Sequence, residues 1–94
     1  MTTVLGKFVK QPAEILDYDV DFTDWFAGRT DTPASFVVVA EPGITVIGSS
    51  RTGNVVKTIL SGGTSGNKYK ISVLLTTSAS LVKEADYVVA VKEA

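Results

Sequence analysis

The glycine-rich stretch SGGTSGNK, residues 61–68, ends on a lysine and so could bind a phosphate group. A phosphate-binding loop of this kind needs a glycine directly before the lysine and a helix directly after it, because the helix N-terminus helps to bind the phosphate. Here Asn67 precedes Lys68, and the residues from Tyr69 onward alternate as in a β-strand. The glycines therefore indicate a sharp connection between two strands.

A second group of residues that could have a chemical function is the acidic row Asp17, Asp19 and Asp21. Asp24 follows it closely. Clustered carboxylates are the ligands that calcium prefers. However, side chains two residues apart on a strand are about 7 Å apart and form a flat row that does not converge on one point. We expect a solvated strand face, whose like charges also discourage unwanted strand pairing, and no metal site.

The residue types that carry most side-chain catalysis are scarce. The chain has neither cysteine nor histidine, which excludes disulfides, thiolate nucleophiles, Cys/His zinc sites and histidine acid–base chemistry. Acid pairs drawn from Glu14, Asp17 and Asp21, or Ser61 paired with Lys68, are combinations that any surface supplies. The sequence therefore predicts a protein that is not an enzyme and uses no cofactor.

The size and charge of the chain limit its partners. Its 94 residues indicate one domain, and a net charge of −1 provides no basic field for nucleic acid. Apolar runs such as Phe36–Ala40 are far shorter than the roughly 20 residues that span a bilayer. The N-terminus does not have the pattern of a signal peptide. We expect no nucleic-acid or membrane partner and synthesis in the cytoplasm.

Short segments of β-type sequence recur along the chain. The strict acid–apolar alternation of residues 17–22 predicts a strand with Tyr18, Val20 and Phe22 facing inward. The other predicted strands are Val4–Val9, Ala34–Ala40, Ile44–Ile47, Val55–Leu60, Tyr69–Thr77 and Leu81–Val91, of which Ala34–Ala40 is expected to be well buried. This spacing predicts an all-β fold, an immunoglobulin-like antiparallel β-sandwich of about seven strands.

Two local features complete the predicted architecture. Thr23 is expected to cap a single helical turn that ends at Gly28, with Trp25 and Phe26 closing one end of the core. Residues 1–16 are expected to form an N-terminal arm or edge strand, and residues 17–94 the sandwich domain. Proline biases the residue before it to an extended conformation, so the segment around Pro12 is predicted to be extended.

The glycine connection resembles the tyrosine corner of immunoglobulin-like sandwiches, in which a tyrosine hydroxyl ties the loop backbone to the next strand. The residues that carry this resemblance are Gly62, Gly63, Gly66 and Tyr69. They are expected to be structural.

Three groups of residues together resemble the small fibre–tail adaptor proteins of tailed bacteriophages and prophages. These groups are Lys10-x-Pro12-x-Glu14-x-Leu16-Asp17-Tyr18, then Asp21-Phe22-x-x-Trp25, then Leu60-Ser61-Gly62-Gly63-Thr64-x-Gly66-x-x-Tyr69. The similarity runs from about Lys10 to Thr77. After Thr77 the family tends to have a glycine-containing turn followed by charged residues, whereas this chain has Ser78-Ala79-Ser80-Leu81.

The resemblance implies a non-enzymatic structural protein of the virion tail that joins the tail to receptor-binding fibres. It implies other tail and fibre proteins as partners and a homo-oligomeric ring in the virion, with subunits that are monomeric in isolation. We expect Lys10, Pro12 and Glu14 to contact a partner, or else the Lys10–Leu16 arm to cover the edge of its own subunit. The competing hypothesis is an immunoglobulin-like module that binds carbohydrate or a surface through exposed aromatic rings at Trp25 and Phe26.

Overall fold

The computed structural model describes the backbone of residues 3–93 and the side chains of residues 7–93. Within these residues, seven strands and one short helix follow one another along the chain. They are β1 Thr3–Lys10, β2 Leu16–Asp21, α1 Thr23–Phe26, β3 Pro33–Ala40, β4 Ile44–Thr52, β5 Val55–Gly62, β6 Lys68–Thr77 and β7 Val82–Val91.

The strands form two sheets. One sheet has the order β1-β7-β6-β3 and the other the order β2-β5-β4. All neighbouring strands are antiparallel except β1 and β7, which are parallel. Placing β3, β6 and β7 in one sheet and β2, β5 and β4 in the other is the arrangement of an immunoglobulin-like sandwich. The predicted all-β sandwich is confirmed, with one parallel pair in place of a fully antiparallel set.

The core lies between the two sheets and is built by period-two alternation. Every second residue of β6 from Tyr69 to Leu75 is buried, as are Tyr87, Val89 and Val91 of β7. Val56 and Leu60 of β5 face them from the other sheet, together with Val20 of β2. Fully burying a side chain of this size stabilises the fold by about 1.5–3 kcal/mol, so these facing rows hold the two sheets together.

Strand β3 differs from the prediction of a well-buried strand. It lies at the edge of its sheet, with Val37 60% and Val39 52% exposed, while Phe36 and Val38 pack against the core. The expectation was wrong because a continuous apolar run does not by itself distinguish a strand covered on both faces from one covered on a single face.

The N-terminus of helix α1 is stabilised by a different residue from the one predicted. Its N-cap is Phe22, whose side chain cannot accept a hydrogen bond, so Thr23 is not the cap. Instead, the Oδ1 atom of Asp21 accepts hydrogen bonds from the Thr23 hydroxyl and from the Thr23 amide, the latter at 2.8 Å. These bonds, the hydroxyl bond above all, hold the pKa of Asp21 below its usual value. The side chain that binds the first residue of the helical turn is therefore Asp21, at the end of β2.

Trp25 and Phe26 do not close the core equally. Phe26 is buried, whereas Trp25 is partly buried and lies edge-on against the Phe26 ring, with their centroids 4.9 Å apart. The guanidinium carbon of Arg29 lies 4.3 Å from the centroid of the Trp25 ring. Phe26 thus closes this end of the core, and the Trp25 ring is packed between Phe26 and the Arg29 guanidinium.

Candidate functional site

The glycine connection leads directly into β6, which begins at Lys68, so a strand follows Asn67. The Tyr69 hydroxyl accepts a hydrogen bond from the Thr64 amide at 2.9 Å and from the Asn67 side-chain amide at 3.4 Å. The Asn67 amide and the Thr64 amide hold the pKa of Tyr69 below its usual value, because both stabilise the phenolate. The phenol therefore ties the loop backbone to the start of β6.

Two glycines allow close packing around the corner, Gly43 against the Tyr69 ring and Gly63 against Val91. A Cβ added at Gly43 would lie 2.9 Å from the Cε1 atom of Tyr69, and a Cβ added at Gly63 would lie 2.6 Å from the Cγ2 atom of Val91. Gly62, Gly63 and Gly66 all have positive φ angles, of 78°, 96° and 94°. Such angles favour glycine, and the glycines therefore shape a corner in the backbone.

Lys10 lies at the C-terminal end of β1 and is fully buried, at 0% exposure. Its ammonium donates hydrogen bonds to the carbonyl oxygens of Gly62 at 2.6 Å, Gln11 at 2.9 Å and Pro12 at 3.4 Å. The sequence predicts Lys10 as a partner contact, but the side chain is enclosed by its own subunit. Lys10 instead joins the arm to the glycine corner.

The arm between β1 and β2 is a folded turn and not an extended segment. The Gln11 amide donates to the Oε1 atom of Glu14 at 2.7 Å, and the Glu14 amide donates to the Gln11 carbonyl at 3.1 Å. These reciprocal bonds hold Pro12 and Glu14, both partly buried, at the surface of the turn. Val9 and Ile15 flank the turn and are 66% and 61% exposed. The arm therefore presents a preformed, partly apolar surface.

Three aromatic rings from β1, β2 and β7 pack against one another close to the arm. The Phe8 ring centroid lies 5.0 Å from that of Tyr18 and 5.8 Å from that of Tyr87. Burial raises the pKa of Tyr87 to about 12, although the hydrogen bond with the Thr58 hydroxyl opposes the shift. Burial also raises the pKa of Tyr18, whose hydroxyl has no hydrogen-bond partner among the described residues.

The acidic row lies on the outward face of β2, as predicted. Asp17, Asp19 and Asp21 are exposed, and Asp17 forms an ion pair with Lys57 of β5, with Nζ and Oδ2 3.5 Å apart. Among the described residues, no group of three acidic side chains is arranged to hold a metal ion. No helix within residues 3–93 is long and apolar enough to cross a membrane.

The candidate site thus consists of a surface turn beside a tyrosine corner, and comparison with protein families shows to which family the chain belongs. The family model of the podophage GP4 fiber-tail adaptor protein gp77 matches residues 10–90, which is most of the chain. The chain belongs to this fibre–tail adaptor family. A comparison with curated proteins gives no match.

The match places the arm, the acidic row and the tyrosine corner of this chain inside the family region. It also continues past Thr77 through the β6–β7 hairpin, where the sequence departs from the pattern expected for the family. Ser80 in that hairpin has a φ of 65°, a conformation that favours glycine. The turn therefore keeps a left-handed position although the glycine is absent.

Sequence reasoning missed the exposed apolar side chains of the chain. Besides the two valines of β3, those with large exposed areas are Phe8, Val9, Ile15, Ile47, Leu81 and Val82. Each occurs within or beside a strand pattern, so the sequence gives no signal that distinguishes an outward apolar residue from an inward one. Only the pairing of the strands assigns the faces.

Proposed function

We propose that this chain is a structural component of the virion tail that joins the tail to its receptor-binding fibres through protein–protein contacts and catalyses no reaction. The observation that carries the proposal is the family match over residues 10–90. The chain is made in the host cytoplasm, and its partners are other tail and fibre proteins and not nucleic acid or membrane.

The polar groups at the centre of the fold support this proposal because they are used structurally. Lys10 binds backbone carbonyl groups, the Tyr69 hydroxyl holds the corner, and the Tyr87 hydroxyl bonds to the Thr58 hydroxyl. A group that is engaged in this way and enclosed by the fold is poorly placed to act on a substrate. The parts of the molecule that remain available for contacts with other proteins are its exposed surface and its strand edges.

The arm is the contact that we assign to a partner. Its turn is fixed by the Gln11–Glu14 bonds and by the bonds of the Lys10 ammonium to the carbonyl groups of Gly62, Gln11 and Pro12. A preformed turn loses little conformational entropy on binding, and exposed apolar side chains at its base provide area to bury. Pro12, Glu14 and Ile15 would form this contact, with Lys10 as a positioning residue.

The test is a binding measurement between the immobilised chain and the neighbouring tail and fibre proteins of the same phage. The chain is expected to bind at least one of them, and Ile15→Asp is expected to weaken that binding by about tenfold or more, because a charge replaces an apolar contact. Val82→Asp is the matched control, since Val82 and Ile15 are both 61% exposed and Val82 lies outside the arm.

Failure of the folded chain to bind any of these proteins would refute the adaptor function. Equal binding by the wild-type chain and Ile15→Asp would refute the assignment of the arm alone.

The competing carbohydrate-binding function requires an open aromatic face. Arg29 lies 4.3 Å from the centroid of the Trp25 ring, and Phe26 is buried. This packing favours the adaptor function, and the folded chain is expected to give no specific signal on a glycan array.

A further inference from the structure

Within residues 3–93 the two sheets have four edge strands, β1 and β3 in one sheet and β2 and β4 in the other. Charged side chains and β-bulges are features that prevent an edge strand from pairing with another chain. Strand β1 has a register shift before the exposed Lys7, and β2 carries the acidic row. Strand β4 has an extra residue, Ile47, that interrupts its register, and a charge at Arg51. Three of the four edges are therefore protected.

Strand β3 lacks these features along its paired length. From Ser35 to Ala40 it contains no charged residue and no proline, and it pairs with β6 without a register shift. Pro33 and a register shift lie at its start, before Ser35. Four of the six residues are valine or phenylalanine, which are types that favour strands. The edge of β3 is therefore ready to pair with a further strand.

The register shows which backbone groups face the open edge. The Glu41 amide donates a hydrogen bond to the Lys70 carbonyl at 3.2 Å, so the backbone of Glu41 faces β6. Because this direction alternates along an antiparallel strand, the N–H and C=O groups of Phe36, Val38 and Ala40 face away from β6. Among the described residues, no second strand pairs with β3 and no backbone hydrogen bond from a loop reaches these groups. A partner strand would provide donors and acceptors for them.

The core beneath β3 is also incompletely covered. The side chains of Phe36, Val38 and Ala40 pack against the core but are only partly buried. The β6 residues that pair with them are fully buried, at 0% exposure, and are Leu75, Val73 and Ile71. Immunoglobulin-like sandwiches of the variable type have a further strand at the edge that β3 occupies here. The architecture can therefore accept an added strand at this position.

We propose that the edge of β3 binds an extended segment of a second tail or fibre protein, which joins the sheet as a further strand. The segment is uncharged and rich in β-branched residues, because it lies beside Val37 and Val39, which are 60% and 52% exposed. This inference rests on the proposed adaptor function, since an adaptor joins two proteins and needs a separate contact for each. Strands β1 and β3 lie at opposite edges of their sheet, so this contact is separate from the arm, which follows β1.

Amide hydrogen exchange, measured by NMR, tests the open edge directly. In the free chain, the amides of Phe36, Val38 and Ala40 are expected to exchange faster than those of Val37 and Val39, which face β6. The tail and fibre proteins of the same phage are then added one at a time. One of them is expected to slow exchange at the first three amides by about tenfold or more, because these amides become bonded to the added strand.

Two variants test binding at this edge. Val39→Lys adds a charge beside the edge, and Ala40→Pro removes an N–H group that faces it without removing a bond to β6. Each variant, once shown to be folded by thermal unfolding, is expected to bind one of these proteins about tenfold or more weakly, whereas Ile15→Asp binds the same protein like the wild type. Ile47→Lys is the matched control, because Ile47 is 54% exposed and lies on the protected edge β4.

The possible outcomes separate this proposal from the adaptor function. If the chain binds tail or fibre proteins but Val39→Lys binds all of them as the wild type does, the proposal is overturned and the adaptor function stands. Unchanged amide exchange at the β3 edge in every complex has the same meaning. Self-association that Val39→Lys abolishes would assign the edge to a second copy of the chain and overturn its assignment to a different protein. Failure of the folded chain to bind any of these proteins would refute both.

Discussion

The hydroxyl group of Tyr69 and that of Tyr18 provide a matched pair for testing the tyrosine corner. Tyr69→Phe leaves the Thr64 amide without its acceptor, and we expect the melting temperature to fall by about 4–8 °C. Tyr18→Phe removes a buried hydroxyl that has no partner among the described residues, and we expect the melting temperature to stay the same or to rise. Thermal unfolding of both variants checks this, and equal losses would contradict the role of Tyr69.

Gly63 and Gly66 separate the effect of crowding from that of backbone conformation. Both have φ angles above 90°, but a Cβ at Gly63 would meet Val91 at 2.6 Å, whereas a Cβ at Gly66 would have no described atom within 4 Å. Gly66→Ala is expected to cost about 1–2 kcal/mol of unfolding free energy from the left-handed conformation alone. Gly63→Ala is expected to cost about 1–3 kcal/mol more, because the core must shift.

Denaturant unfolding measures both glycine variants. If Gly63→Ala were no less stable than Gly66→Ala, the close packing of the corner against β7 would be wrong.

Asp86 is an unusual residue because it is a fully buried carboxylate on the outward side of β7. Neither of its oxygens has a hydrogen-bond partner among the described residues. A buried and unpaired carboxylate destabilises a fold, so Asp86→Asn is expected to raise the free energy of unfolding by about 1–3 kcal/mol. Asp19→Asn, on an exposed strand position, is the control and is expected to change it by less than about 0.5 kcal/mol. A loss of stability in Asp86→Asn would mean that the carboxylate has a partner in solution.

At the scale of elements, the arm depends on the Lys10 side chain for its position. Lys10→Met keeps the apolar stem but leaves the carbonyl groups of Gly62, Gln11 and Pro12 without their donor. We expect a loss of about 1–3 kcal/mol in unfolding free energy and faster hydrogen exchange at the amides of Gln11 and Glu14. Amide exchange in β5 should change little, and uniform acceleration over the whole chain would contradict a local role for Lys10.

The elements were predictable where one periodic pattern determines one structure. The alternation of Tyr69–Thr77 assigns both the strand and its buried face, and the glycines before it indicate the corner. The valine run of β3 does not show that the strand lies at an edge, because this depends on which strand lies beside it. In the same way, the sequence predicts that Lys10 is a surface residue. Its burial depends on the contact with the Gly62 carbonyl, which is 52 positions away and cannot be predicted from a local pattern.

At the scale of the whole molecule, the shape of the chain places the arm at one end. The chain is elongated, with extents of 45 × 22 × 18 Å, and the arm lies at the same end as the glycine corner. This arrangement suits the proposed adaptor function, in which the arm at one end of the sandwich contacts a different tail protein.

The measurement that tests the adaptor function most directly is the fibre content of virions assembled without this chain. Purified particles from a phage that lacks the gene are expected to contain the other tail proteins but little or no fibre protein by quantitative mass spectrometry, and the wild-type chain supplied in trans should restore the fibres. The Ile15→Asp variant should restore them less well than Val82→Asp. Particles with a full set of fibres in the absence of the chain would contradict its role as an adaptor.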